Sequence, residues 1–208
     1  TAMAPGRFAA CLNQAPMWRR TQHAWLRPYD MAANSIDTFA RVRDIPPDQL
    51  LRQVFEECPD YGRARMKLEQ TPVARPVIYA LIGCAPGQSC VIERTETEFT
   101  TREGETSAAN DWLPQRPGWE ARMSASRFLK NAPEDAAAHC ESRRFGLAQW
   151  DGRLSAPGFA WLKPPVLNGY TRLAVTMSPA CSSLRVAGFE LQGQDLPEQV
   201  TEISEIGL

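Results

Sequence analysis

Histidine is scarce in this chain, with His23 and His139 the only two in 208 residues, and neither stands in a Ser-His-Asp or Cys-His setting. No G-x-S-x-G elbow, phosphate-cradling glycine loop or H-E-x-x-H helix is present, so serine-hydrolase, P-loop and zincin readings have no anchor. The six cysteines (Cys11, Cys58, Cys84, Cys90, Cys140 and Cys181) are scattered without a C-x-x-C pair, which argues against both a zinc site and a disulfide framework. Cys84 and Cys90 flank a tight turn and have the spacing to face each other across a hairpin, although buried free thiols are the preferred reading. There is no basic surplus either. The formal net charge is -1, and the pairs Arg19-Arg20 and Arg143-Arg144 lie outside any Lys/Arg run, so they read as solvated surface arginines and nucleic acid is not an implied partner. No apolar run approaches the length of a membrane span, and the first residues lack the zones of a signal peptide.

What is present is a chain that is 43% hydrophobic, enough for one domain over residues 1–208 with a polar, peripheral tail from Gln192. Gly6 to Leu12 reads as a short strand with Asn13 at its end. Met31, Ile36, Phe39 and Val42 allow a helix. Pro46-Pro47 opens another, with Leu50, Leu51, Val54, Phe55 and Cys58 on one face, and Pro59 stops it. Asp60 can cap a third, with Tyr61, Ala64 and Leu68 inward, ended by Pro72. Val77 to Ile82 is nearly all apolar, as in a central strand covered on both faces. A Pro86-Gly87 turn leads back into Val91-Ile92, and Phe99 continues the ladder. The segment Ala108 to Trp112 reads as a strand ending in an exposed Asn. Leu113 to Gly118 is a loop, Glu120 to Lys130 a helix with Met123 and Phe128 inward, and Asn131 to Gly158 holds a weak helix. Thr171 to Met177 and Leu184 to Leu191 are expected to complete the sheet. The order predicts an α+β fold with helices covering a sheet.

Four segments together carry a resemblance: TAMAPGRFAACLN (1–13), VFEECPDYGRARMKLEQTPVARPVIYALIG (54–83), SCVIERT (89–95) with AANDW (108–112), and KPPVLNGYTRLAVTMSPA (163–180). In their order and content they resemble the acid ceramidase and N-acylethanolamine acid amidase group of N-terminal-nucleophile cysteine hydrolases. The resemblance implies a four-layer αββα sandwich and cleavage of a linear amide, an N-acylated amine or lipid amide, through an acyl-enzyme. It also implies that the catalytic cysteine and the strands beside it precede the stretch seen here, so that the fold is incomplete and a sheet edge is left unpaired. The 208 residues alone are then expected to be inactive, with a preceding segment or second chain as the partner that completes the site. Such chemistry needs no metal or cofactor, because the nucleophile's own α-amino group relays the proton.

The same resemblance nominates site residues. Asn110 falls on the oxyanion-hole asparagine; its amide donates without titrating. The alternative for Asn110 is an Asn-Asp turn. Asn13 falls on a Leu-Asn position lining the same pocket, with a simple strand cap as its alternative. Arg122 corresponds to the arginine that follows the oxyanion asparagine, where a fork of donors holds a carboxylate or carbonyl. Gln14 stands where the group usually has Glu and supplies only neutral hydrogen bonds. Gln14, Arg116 and Trp112 are the implied substrate contacts, Arg116 also being a competitor for the role of Arg122. Glu93-Arg94 matches a feature that reads as structural pairing. Thr1 aligns inside the catalytic subunit and Cys11 within an apolar strand, so neither is implied as nucleophile. Two further readings stand beside hydrolysis: acyl transfer of the penicillin acyltransferase type, and a truncated relative that binds or scaffolds without chemistry.

Overall fold

The computed structural model describes residues 1–40, 44–104, 107–121, 133–150, 158–193 and 195–207. Its centre is a five-stranded antiparallel sheet in the order β1-β2-β4-β5-β6. The strands are β1 (Ala2–Ala4), β2 (Phe8–Gln14), β4 (Val77–Gly83), β5 (Ser89–Arg94) and β6 (Phe99–Glu103). The apolar run expected as a central strand is β4, which has two neighbours on either side. Alternate residues serve opposite faces. Phe8, Ala10, Val77, Tyr79, Leu81, Cys90 and Ile92 face two helices, while Ile78 and Val91 face the other way and pack on Trp112 and Ala15.

The helices on the first face begin and end where their punctuation demands. In α2 (Pro47–Glu57) Pro46 is the N-cap and Pro47 the first helical residue, where a missing N–H costs nothing; Leu50, Leu51 and Val54 are buried. Helix α3 (Tyr61–Gln70) is capped by Asp60, whose carboxylate accepts the Arg63 backbone N–H at 2.8 Å, and it buries Tyr61, Ala64 and Leu68. The Tyr79 hydroxyl donates to the Pro47 carbonyl at 2.8 Å and ties the sheet to the start of α2.

Helix α1 (Arg27–Ala40) forms where Met31, Ile36 and Phe39 allow one, yet these three residues are 46%, 67% and 78% exposed; Val42 lies outside the described residues. The buried residues of α1 are Arg27 and Asp30. They belong to an ion network in which Arg19 pairs with Asp30 at 2.6 Å and with Glu120, and Arg27 pairs with Glu120 at 2.8 Å. Arg19 is thus enclosed, not a solvated surface arginine. Burial works against the charge of Asp30, but bonds from Thr21, Arg19 and the Arg20 N–H outweigh it and hold the carboxyl below the usual range.

Glu120, expected to open a helix, lies instead in a two-stranded ribbon of β3 (Met17–Trp18) and β7 (Trp119–Glu120). Residues 122–130 of that expected helix, with Met123 and Phe128, are outside the described residues. Gly118 feeds β7 with φ of 79°, and a Cβ there would stand 2.6 Å from the Trp18 ring, so only glycine fits. Helix α4 (Pro133–Ala148) occupies part of the stretch read as weakly helical.

The late strands β8 (Leu173–Ser178) and β9 (Ser183–Glu190) do not complete the first sheet. They form a second, four-stranded sheet in which β9 pairs with β8 and with two strands of the tail, β10 (Glu198–Gln199) and β11 (Ser204–Gly207). Among the described residues no helix is long and apolar enough to cross a membrane.

Candidate functional site

The face of the first sheet turned away from α2 and α3 carries polar groups in register. Across the ladder Asn13 pairs with Ile78, Ile78 with Glu93, and Glu93 with Thr100, so these positions share one row and one face. Asn13 is half-buried near the end of β2, and Gln14, the last residue of the strand, is exposed. Both open onto a cleft of about 750 Å³ whose walls include Met17, Trp18 and Val77 from the strands and Met31 and Phe39 from α1. Of the exposed apolar residues of α1, Met31 and Phe39 therefore border this cleft.

Asn110 reaches the same strand end by another route. The segment holding it is not a strand: residues 107–118 form no ladder. The segment is irregular but anchored. Trp112 is fully buried among Ala15, Ile78 and Val91, with its ring 5.4 Å from Trp119 in edge contact. The Asp111 carboxylate accepts the Trp112 N–H at 2.9 Å and the Gln115 amide at 3.0 Å. Leu113 N–H donates to Glu93 at 2.9 Å. Held in this way, Asn110 donates from Nδ2 to the Gln14 carbonyl at 3.1 Å, across 96 positions of sequence, and accepts at Oδ1 from Arg143 of α4 at 3.5 Å.

Glu93 is the buried charge under the segment. Burial pushes its carboxyl up, against the Leu113 N–H, Arg102 at 3.2 Å and Arg116 at 3.7 Å, which favour the ionised form. Arg94 points to the opposite face, where it donates to the Leu68 and Glu98 carbonyls; the two neighbours are structural but do not pair with each other. Arg116 is engaged by Glu93, donates to Thr100 at 3.1 Å and stacks on the Trp112 ring at 4.9 Å. Expected as substrate contacts, Arg116 and Trp112 here hold the segment, and Trp112 has no exposed surface to offer a ligand.

The structure thus brings Asn13, Gln14 and Asn110 to one end of β2. Arg122 lies outside the described residues. Sequence reasoning missed Arg143, set aside as half of a solvated pair; it is half-buried, and nothing in its spacing announces Asn110 as a neighbour. The cysteines are free, and Cys84 donates to the Arg7 carbonyl instead of facing Cys90. Burial pushes the thiols of Cys11, Cys58 and Cys90 up, away from the reactive thiolate. Among the described residues no three of His, Cys, Asp and Glu converge to hold a metal ion.

No family model matches the chain, and no curated protein matches it by sequence. Among solved structures it is similar to an N-acylethanolamine-hydrolyzing acid amidase ortholog from Caenorhabditis elegans. The TM-score is 0.51 at 15% identity, over 86% of this chain and 68% of that one. At this identity the likeness is one of fold.

Proposed function

We propose that these residues form part of an amidohydrolase that cleaves a linear amide, an N-acylated amine or lipid amide, through an acyl-enzyme. Asn110 donates to the oxygen of the tetrahedral intermediate, Asn13 and Gln14 line the pocket, and the family resemblance gives Arg122 the part of holding a carbonyl or carboxylate. The observation that carries this reading is the hydrogen bond from Asn110 to the Gln14 carbonyl. A turn asparagine bonds its own neighbours, whereas Asn110 is fixed on the end of β2, at Gln14, a residue that lines the cleft although Asn110 itself does not. A neutral amide suits the role, since an oxyanion donor must be aimed in advance and stay protonated.

In this reading the attacking thiol is not one of the cysteines described here. Burial raises three of them, Cys140 is enclosed, Cys84 is bonded to a backbone carbonyl, and Cys181, exposed on the turn from β8 to β9, does not line the cleft. The apolar side of the cleft, Met17, Trp18, Met31 and Phe39, supports an acyl chain as the portion of substrate bound there. The test is release of amine from an N-acylated amine, such as N-dodecanoylethanolamine, by these 208 residues alone and together with the thiol-bearing segment that the reading requires. Turnover only in the combined form supports the proposal, and turnover by the 208 residues alone that stops when the Thr1 amine is blocked overturns it.

A further inference from the structure

We infer that Arg143, on α4, is a positioning residue that fixes which way the Asn110 amide points; the inference rests on the reading of Asn110 as an oxyanion donor. An asparagine amide has a carbonyl on one side and two N–H donors on the other, and rotation by 180° exchanges them. Here the surroundings allow one orientation. The Gln14 carbonyl can only accept and the Arg143 guanidinium can only donate, so Nδ2 must face the first and Oδ1 the second. The opposite rotamer would set oxygen against oxygen and N–H against N–H. With one N–H held by Gln14, the second is the donor that a reacting oxygen would meet.

Arg143 is itself fixed. Its Nη2 lies 3.2 Å from Cys140 Sγ and its Nε donates to the His139 carbonyl at 3.4 Å, both on the preceding turn of α4. Its contact with Asn110, at 3.5 Å, is long, and it acts chiefly through the charge of the guanidinium on the amide dipole. Gln14 alone would leave Oδ1 without a donor. Arg143 therefore supplies the half of the orientation that β2 cannot, and it couples α4 to the site.

The experiment reads the Asn110 side-chain amide by NMR, its two proton signals identified by their loss in Asn110→Asp. In Arg143→Met, which keeps the apolar stem and removes the donor, exchange with water of the proton held by the Gln14 carbonyl should rise by roughly five- to tenfold, the effect of one ordinary hydrogen bond. Arg143→Lys, which keeps the charge and loses the fork, should fall between. Backbone signals of β2 and β4 report whether each variant is folded; if Arg143→Met is not, Arg143→Lys against the native chain decides. Unchanged exchange in the folded variants would overturn the positioning role. Dodecanamide, a simple acyl amide, is then titrated into each folded protein. Shifts at Asn110 that weaken in the Arg143 variants support both readings, and shifts of equal size in all of them overturn the positioning role alone. Altered exchange in the variants with no response to dodecanamide supports positioning and counts against the hydrolase reading.

Discussion

Along β5 every residue except Ser89 is buried, whereas along β9, the strand to which the rest of the second sheet pairs, only Ala187 and Phe189 are. The first sheet has α2 and α3 on one face and the Trp112 segment on the other, so a side chain anchored there has neighbours on all sides. The second encloses a small cluster of Phe159, Ala174, Ala187 and Phe189 and leaves Leu173 and Ile206 66% and 45% exposed. The contrast teaches where a rigid site can be built. A donor that must hold its aim to a fraction of an ångström needs the packing of the first sheet, and Asn13 and the Gln14 carbonyl that receives Asn110 are part of it.

The largest effect should come from cutting into the first core. Leu68→Ala, at a side chain with no exposure, should cost roughly 3 kcal/mol or more in denaturant unfolding. Leu173→Ala in the second sheet should stay within about 0.5 kcal/mol. Equal losses would erase the distinction between the sheets. Next, Asp30→Asn should cost roughly 2 kcal/mol at neutral pH by weakening the hydrogen bonds with Arg19 and the Arg20 N–H.

That substitution also carries a pH signature. The Asp30 carboxyl is lowered on folding, so its contribution is present above its unfolded value of about 3.9 and is lost as pH falls through the folded value. Glu93 is raised and has the opposite sign: its contribution is present below its unfolded value and is lost as pH rises through the folded one. Stability measured below about pH 4 should therefore fall less steeply in Asp30→Asn than in the native chain. A smaller effect is expected at the α3 cap. Asp60→Ala should cost about 1 kcal/mol by leaving the Arg63 N–H without its acceptor.

The elements that sequence made legible are those whose signals are local. The apolar run of β4, the Pro46-Pro47 start of α2 and the Asp60 cap of α3 each act on the residues beside them. The helix α1 was legible as a helix, but its burial was not. Apolar periodicity marked Met31, Ile36 and Phe39, while the contacts that bury the helix are ionic and come from Arg19 and Glu120, the latter far away in sequence. The second sheet escaped for a related reason. Its partner strands β10 and β11 are short, polar and exposed, so no alternation announces them. At the site, Asn110 was picked out from a resemblance, yet its platform is Trp112, Asp111 and Glu93 acting on an irregular segment, not a strand end. Arg143 could not be found from sequence, because its partner is known only once α4 is placed.

The most direct test of the site is Asn110→Ala, assayed on an N-acylated amine in a form of the protein that turns it over, beside a stability measurement on the same variant. If Asn110 meets the reacting oxygen, kcat should fall by roughly a hundredfold or more with KM little changed and unfolding unaffected, the mark of a donor aimed at the transition state. A kcat within about twofold of the native value in a folded variant, or a loss matched by an equal loss of stability, would contradict the assignment.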